Sequence, residues 1–149
     1  MAPVAVAAEP DFHETVFDAI PSPVFIVDRE LCIVDFNAAA AALCDPSVFD
    51  ALHPRAGDAL QCVVAEYHAC GQRAACVNCA IRNSVIDALQ GDRVSRRSMR
   101  AHLRRNGSTV ETDLLITTAP FRDGDTPLAL LIVENLTELL GLRAGNSRA

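Results

Sequence analysis

The stretch Ile20-Pro21-Ser22-Pro23-Val24-Phe25-Ile26-Val27-Asp28, followed shortly by Ile33-Val34-Asp35-Phe36-Asn37, decides the architecture. Pro21 and Pro23 cannot continue a helix and push their neighbours towards extended backbone. Val24 to Asp28 is therefore predicted to be a short strand. Arg29–Glu30 reads as a turn and Leu31 to Phe36 as the returning hairpin partner. Asn37 is a preferred N-cap residue, because its side-chain oxygen can take a backbone N–H of the first helical turn. It opens a short helix over Ala38–Leu43.

Upstream of this hairpin, Asp11 and Glu14 form an Asp-x-x-Glu capping signature, and Phe12, Val16 and Ile20 recur at helical spacing. Residues 1–10 form an Ala/Val/Pro arm expected to be disordered or loosely docked. Downstream, residues 45–61 contain Pro46, Pro54 and Gly57 and read as irregular connection with short helical turns. An apolar-periodic helix is predicted over Ala80 to Gln90, with Gly91 as its C-terminal stop. Three strands follow. The first runs from Arg93 to Arg105, and Asn106–Gly107 is a type I′ hairpin signal. The second spans Thr109 to Thr118, and the third, after an Asp123–Gly124 turn, spans Leu128 to Val133. Asn135 with Glu138 is a further capping pattern, opening an exit helix that carries Leu136, Leu139 and Leu140.

This order predicts an α+β domain: a five-stranded antiparallel sheet with short helices on one face and flanking helices at both ends. The domain is expected over residues 11–140, between the arm at 1–10 and a tail at 141–149. Its core is expected from Val24, Ile26, Ile33, Leu114, Ile116, Leu130 and Ile132. The pattern resembles the PAS superfamily over roughly residues 11–140. The resemblance is carried by Ile20 to Asp28, by Ile33 to Asn37 leading into a small-residue helix, and by a closing strand running into Glu134-Asn135-Leu136-Thr137. It implies a small-ligand or redox sensor that signals by dimer rearrangement, and not an enzyme.

Composition sets the outer bounds. The chain has 149 residues, one domain's worth, and 50% of them are hydrophobic, enough for a core without disulfide staples. The net charge of −6 disfavours a nucleic-acid partner. All 13 basic residues are Arg. No segment approaches the roughly 20 consecutive apolar residues that span a bilayer, so no membrane partner is expected. Met1 to Ala8 lacks the basic start and long apolar stretch of a signal peptide, so a cytoplasmic location is expected. In that reducing compartment, clustered cysteines point to metal ligation or redox chemistry before structural disulfides.

Cys62, Cys70, Cys76 and Cys79 form such a cluster just before the predicted long helix. Thiolates favour soft metals, and four complete either a tetrahedral zinc site or an iron–sulfur cluster. Only Cys76 and Cys79 make a Cys-x-x-Cys turn, whereas four-cysteine zinc sites commonly use two. The irregular spacing suits a cluster, of 4Fe–4S rather than 2Fe–2S type, with zinc as the alternative. The arrangement is similar to PAS sensors that hold an oxygen-labile cluster through four cysteines, though it departs from their paired Cys-x-x-Cys form. Cys79 at the helix start would place thiolate charge beside free backbone N–H groups, with Arg73 and Arg82 close in sequence. Cys32 and Cys44 read as small core hydrophobes. His68 lies between two of the cysteines and reads as a surface residue.

Other chemistries lack their residues. Ala80 after Cys79 rules out a Cys-x-x-Cys-His haem attachment, residues 80–92 offer no axial histidine, and Cys79-Ala-Ile-Arg-Asn83 does not match the cysteine-bearing flavin motif of light-sensing PAS domains. Six arginines lie between Arg93 and Arg105. Of these, Arg96, Arg100 and Arg104 are expected on one solvated strand face, with no aromatic residues beside them to stack nucleic-acid bases. The expected function is a stand-alone redox or oxygen sensor holding an iron–sulfur cluster and signalling to a homodimer mate or a separate signalling protein. A zinc-stabilised PAS interaction module is one alternative. A thiol–disulfide redox protein using Cys76 and Cys79 is the other. Dimer contacts are expected through the apolar stripes of the first and exit helices.

Overall fold

A computed structural model describes residues 12–44, 54–60 and 79–136. The elements in order are α1 (Phe12–Ala19), β1 (Val24–Val27), β2 (Ile33–Phe36), α2 (Ala38–Leu43), α3 (Ala56–Ala59), α4 (Ala80–Leu89), β3 (Val94–Arg105), β4 (Ser108–Asp123) and β5 (Thr126–Asn135). The strands form one antiparallel sheet in the order β2-β1-β5-β4-β3. The expected α+β architecture is present. The arm at 1–10, the cap residue Asp11, and the exit-helix residues beyond Leu136 lie outside the described residues.

The first hairpin is tighter than the sequence suggests. Asp28 Oδ1 accepts the backbone N–H groups of Glu30 and Cys32 at 2.8 and 3.0 Å, holding the turn closed. Leu31 takes a positive φ of 66°, so it cannot serve as the first residue of the return strand. Its carbonyl instead accepts from Ala56, while Ile33 donates to Pro54, which ties the hairpin to α3. β2 therefore starts two residues later than expected.

The inner face of the sheet and the helices α2, α3 and α4 enclose the core. Phe25 and Val27 of β1, Ala101 and Leu103 of β3, Leu114 and Ile116 of β4, and Ala129, Leu131 and Val133 of β5 line the sheet side. Small residues face them from the helices: Ala40, Ala56, Ala59 and Ala88, with Ile81 and Val85. In α4 the buried residues Ile81, Ser84, Val85 and Ala88 follow the one-face spacing of an amphipathic helix. That helix ends as expected, with Gly91 at φ 100° and Asp92 N–H reaching Asp87 O at 2.9 Å, a Schellman closure.

Two expected core positions belong to the other layer. Leu130 and Ile132 lie in register with Ile26 and Val24, on the face turned away from the helices, and both are only half-buried. Val24 and Ile26 are buried on that outer face too. Ile33 is half-buried at the rim of the core. Leu114 and Ile116 are core residues as expected.

β4 and β5 are longer than expected, running to Asp123 and from Thr126 around Gly124, whose φ is 60°. Pro120 is tolerated there because β3 pairs no farther along β4 than Thr118, so the strand has an open edge beyond it. Asn106 and Gly107, at φ 51° and 81°, make the expected hairpin turn. A bulge lies between Val94 and Arg97, with Arg96 at φ 49°. It puts both Val94 and the Arg97 side chain on the helix side.

Candidate functional site

Of the four clustered cysteines, Cys79 is described, and Cys62, Cys70 and Cys76 lie outside the described residues, as do Arg73 and His68. Cys79 is the N-cap of α4, with extended backbone (φ −68°, ψ 123°), and its carbonyl accepts the first helical bond from Asn83 at 3.0 Å. The side chain is half-buried and packs, with Ala80, against the core. No acidic residue occupies the first turn of α4. Arg82 stands there and donates to Asn83 Oδ1 at 3.4 Å. A thiolate at Cys79 would thus meet the positive end of a ten-residue helix, an environment suited to an anionic soft-metal ligand. Among the described residues no three His, Cys, Asp or Glu side chains converge on one point.

What Cys79 is attached to matters as much as its charge. α4 is tied to the sheet by polar bonds as well as by its apolar face. Thr118 Oγ1 donates to Ser84 O at 2.8 Å in the interior, and Arg97 donates to Ser84 Oγ at 3.1 Å and to Asp87 Oδ2 at 3.3 Å. Any displacement of the Cys79 end of the helix therefore bears on β3 and β4, the strands holding Arg97 and Thr118. Sequence reading did not find this clamp, because it joins residues 10 to 34 positions apart.

The other described cysteines are core residues, as expected. Cys32 and Cys44 are 7% and 6% exposed, and none of Cys32, Cys44 and Cys79 is in a disulfide. Burial pushes the Cys44 thiol up to about 11, with the Arg105 charge pulling weakly the other way. Cys44 is thus a protonated thiol near neutral pH and an unsuitable metal ligand. Arg105 also donates to Leu60 O at 3.2 Å, closing β3 onto the chain after α3.

The arginine-rich strand is a solvated face, as its spacing suggests. Arg100 pairs with Glu111 at 3.1 Å and Asp113 at 3.0 Å across the β3–β4 ladder, and Arg96 approaches Glu134 at 3.8 Å. Exposed pairs of this kind contribute little to stability, and here they also neutralise a basic stripe.

The α1–β1–α2 junction closes around Asn37, which is 1% exposed. Its Oδ1 accepts from Val24 and Ala40 N–H at 3.0 Å each, the second being the expected N-cap bond. Its Nδ2 donates to Phe17, Ser22 and Ile20 carbonyls at 3.1, 3.1 and 3.3 Å. Asp18 Oδ1 adds a bond from Ala38 N–H at 2.9 Å. One side chain thus fixes the first helix against β1 and α2. Between α1 and the outer sheet face lies a groove of about 430 Å³.

Comparisons with known proteins agree with this geometry. Residues 11–78 match the family model described as the PAS domain. The fold is similar to that of a PAS domain from Colwellia psychrerythraea, with 18% identity, TM-score 0.54 and coverage of 85% of this chain and 95% of that one. It is also similar to the PAS domain of nitrogen regulation protein NR(II) from Vibrio parahaemolyticus, at 13% identity and TM-score 0.50, covering 85% and 100% of the two chains. A phage VqmA–DPO complex aligns at 16% identity and TM-score 0.56, over 89% of this chain and 55% of that one. No curated protein sequence matches the chain. At these identities the similarity establishes the fold, α+β of PAS type.

Proposed function

We propose that this PAS-fold chain is the sensory module of a signalling system, reading redox state or oxygen through an iron–sulfur cluster held by Cys62, Cys70, Cys76 and Cys79. It acts through protein contacts and carries out no catalysis of its own. The observation that supports this most is the placement of Cys79. It heads the longest helix among the described residues, whose first turn carries Arg82 and no acidic residue, and that helix is bonded at three polar points to β3 and β4. A centre bound there would supply one-electron chemistry. The chain's own contribution is to hold thiolates at a helix N-terminus and to carry any change of their position into the sheet.

The test is metal content. Protein purified without air should contain iron and acid-labile sulfide and show a visible charge-transfer spectrum. Cys76→Ser and Cys79→Ser should lose both, whereas Cys32→Ser and Cys44→Ser should retain them. Stoichiometric zinc in a colourless protein would replace the sensor with a structural metal site. Equal metal content in Cys76→Ser and the unaltered chain would remove the ligand assignment.

A further inference from the structure

α4 is held on the sheet by two kinds of bond that differ in how easily they break. Thr118 Oγ1 donates to Ser84 O at 2.8 Å with both residues out of water, at 1% and 0% exposed. A carbonyl that lost its donor there would find no solvent in exchange, so this bond persists through a small movement of the helix. The Arg97–Asp87 pair at 3.3 Å differs, because its side chains are 41% and 36% exposed. Water replaces such a pair at little cost. α4 therefore has one fixed point, at Ser84, and one yielding contact, at Asp87.

Their order along the helix makes a lever. Cys79 lies five residues before Ser84, and Asp87 three residues after it. At the rise of an α-helix the two arms are about 7.5 and 4.5 Å. A tilt that moves the Cys79 end by about 1 Å moves Asp87 by about 0.6 Å in the opposite sense. Directed away from Arg97, that takes the 3.3 Å contact beyond hydrogen-bonding distance.

Arg97 is placed to register such a tilt. Its backbone is held on the β3 bulge, where Arg96 N–H donates to Thr117 Oγ1 at 3.1 Å and Arg97 is in register with Ile116. Its guanidinium spans both points of the lever, with Nη1 on Ser84 Oγ at 3.1 Å and Nη2 on Asp87 Oδ2 at 3.3 Å. One nitrogen sits at the pivot and the other on the residue that moves.

We propose that α4 rocks about the Ser84–Thr118 bond and that Arg97 is the positioning residue coupling the Cys79 end of the helix to β3. It keeps Ser84 and exchanges Asp87 for water when that end is displaced. Only the natural cause of the displacement, a change at the cysteine-held centre, rests on the function proposed above.

The full chain with isotope-labelled arginine side chains supplies the test. The Arg97 Nε–H signal is identified by its loss in Arg97→Gln. Air oxidation of iron-loaded protein should shift that signal, and amides of residues 86–90 should exchange at least about threefold faster. In Arg97→Gln these amides should exchange at the fast rate before oxidation and gain nothing from air. Arg97→Lys keeps a cation beside Asp87 and should restore part of the difference. Iron content and visible spectrum should match the unaltered chain in both variants, which a general loss of fold would not allow. A second route displaces the same end without metal. In the chain carrying Cys62→Ser, Cys70→Ser and Cys76→Ser, a bulky maleimide on half-buried Cys79 should shift the Arg97 signal in the same way, while Cys32 and Cys44 stay protected by burial. Iron-free protein in which the maleimide shifts Arg97 would refute the cluster and support the lever. An Arg97 signal unmoved by the maleimide would overturn the lever whatever the metal content, and one unmoved by oxidation of iron-loaded protein would overturn its coupling role.

Discussion

Asn37 is the residue on which most of the local order depends. Truncation to Ala would strip two backbone N–H groups and three carbonyls of their partner at a buried site, each such loss costing about 1–3 kcal/mol before water re-enters. Asn37→Ala should lower stability by roughly 3 kcal/mol in urea unfolding, well above a simple cap deletion. Asn37→Asp keeps the acceptor but sets a carboxylate against the Phe17, Ile20 and Ser22 carbonyls. Its folded-state pKa should therefore rise above the unfolded value. Stability should be greatest at acid pH and fall as pH climbs through that raised pKa. The sequence revealed the capping half of this role, because capping is local. The other half, in which the amide grips α1, joins residues 15 to 20 positions apart and had no sequence signal.

Cys44 gives a second test at the residue scale. Its thiol is held neutral, with a pKa moved from 9.0 to about 11 by burial. The stability this contributes is present below pH 9 and is lost as pH rises towards 11. The unfolding midpoint of the native chain should thus fall more steeply over that window than that of Cys44→Ala. In the folded chain freed of metal, at pH 8, iodoacetamide should modify Cys79, half-buried at a helix start, before Cys44. The reverse order would contradict the burial argument.

At the scale of elements, amphipathic pattern and turn chemistry were read well where one face dominates. The spacing of Ile81, Val85 and Ala88 located α4, and Asn106–Gly107 located the β3–β4 turn. β5 was harder. Leu128 to Val133 is apolar without interruption, so periodicity cannot say which alternate set faces the helices. Pairing with β1 settles it: Leu131 opposes Phe25 in the inner layer, and Leu130 and Ile132 go to the outer one. The α1 stripe is a related case. Phe12 is 73% exposed and Val16 46% exposed, so these side chains do not pack on their own sheet. If they form a dimer contact, Phe12→Asp with Val16→Asp should shift sedimentation to the monomer without loss of helicity. A dimer of unchanged mass would place the interface elsewhere.

For the whole molecule, the division of labour is between a sheet that stands on its own packing and a helix whose first residue is a thiol ligand in our account. The core of Phe25, Val27, Leu103, Ile116, Leu131 and Val133 is built from sheet side chains, with Cys79 only partly buried against it, so oxidation should leave the sheet folded. The cysteine pattern itself was legible in the sequence. Spacing alone fixes no distance between Cys62, Cys70 and Cys79, so a shared site for them is a proposal and not a reading of the sequence. The decisive measurement is hydrogen exchange on protein kept without air and on the same protein after air oxidation, with iron and zinc determined in each. Air should remove the metal and speed exchange across residues 62–90, while β1, β4 and β5 keep their protection. Identical protection of residues 62–90 in both samples, with metal retained, would contradict a redox switch at this site.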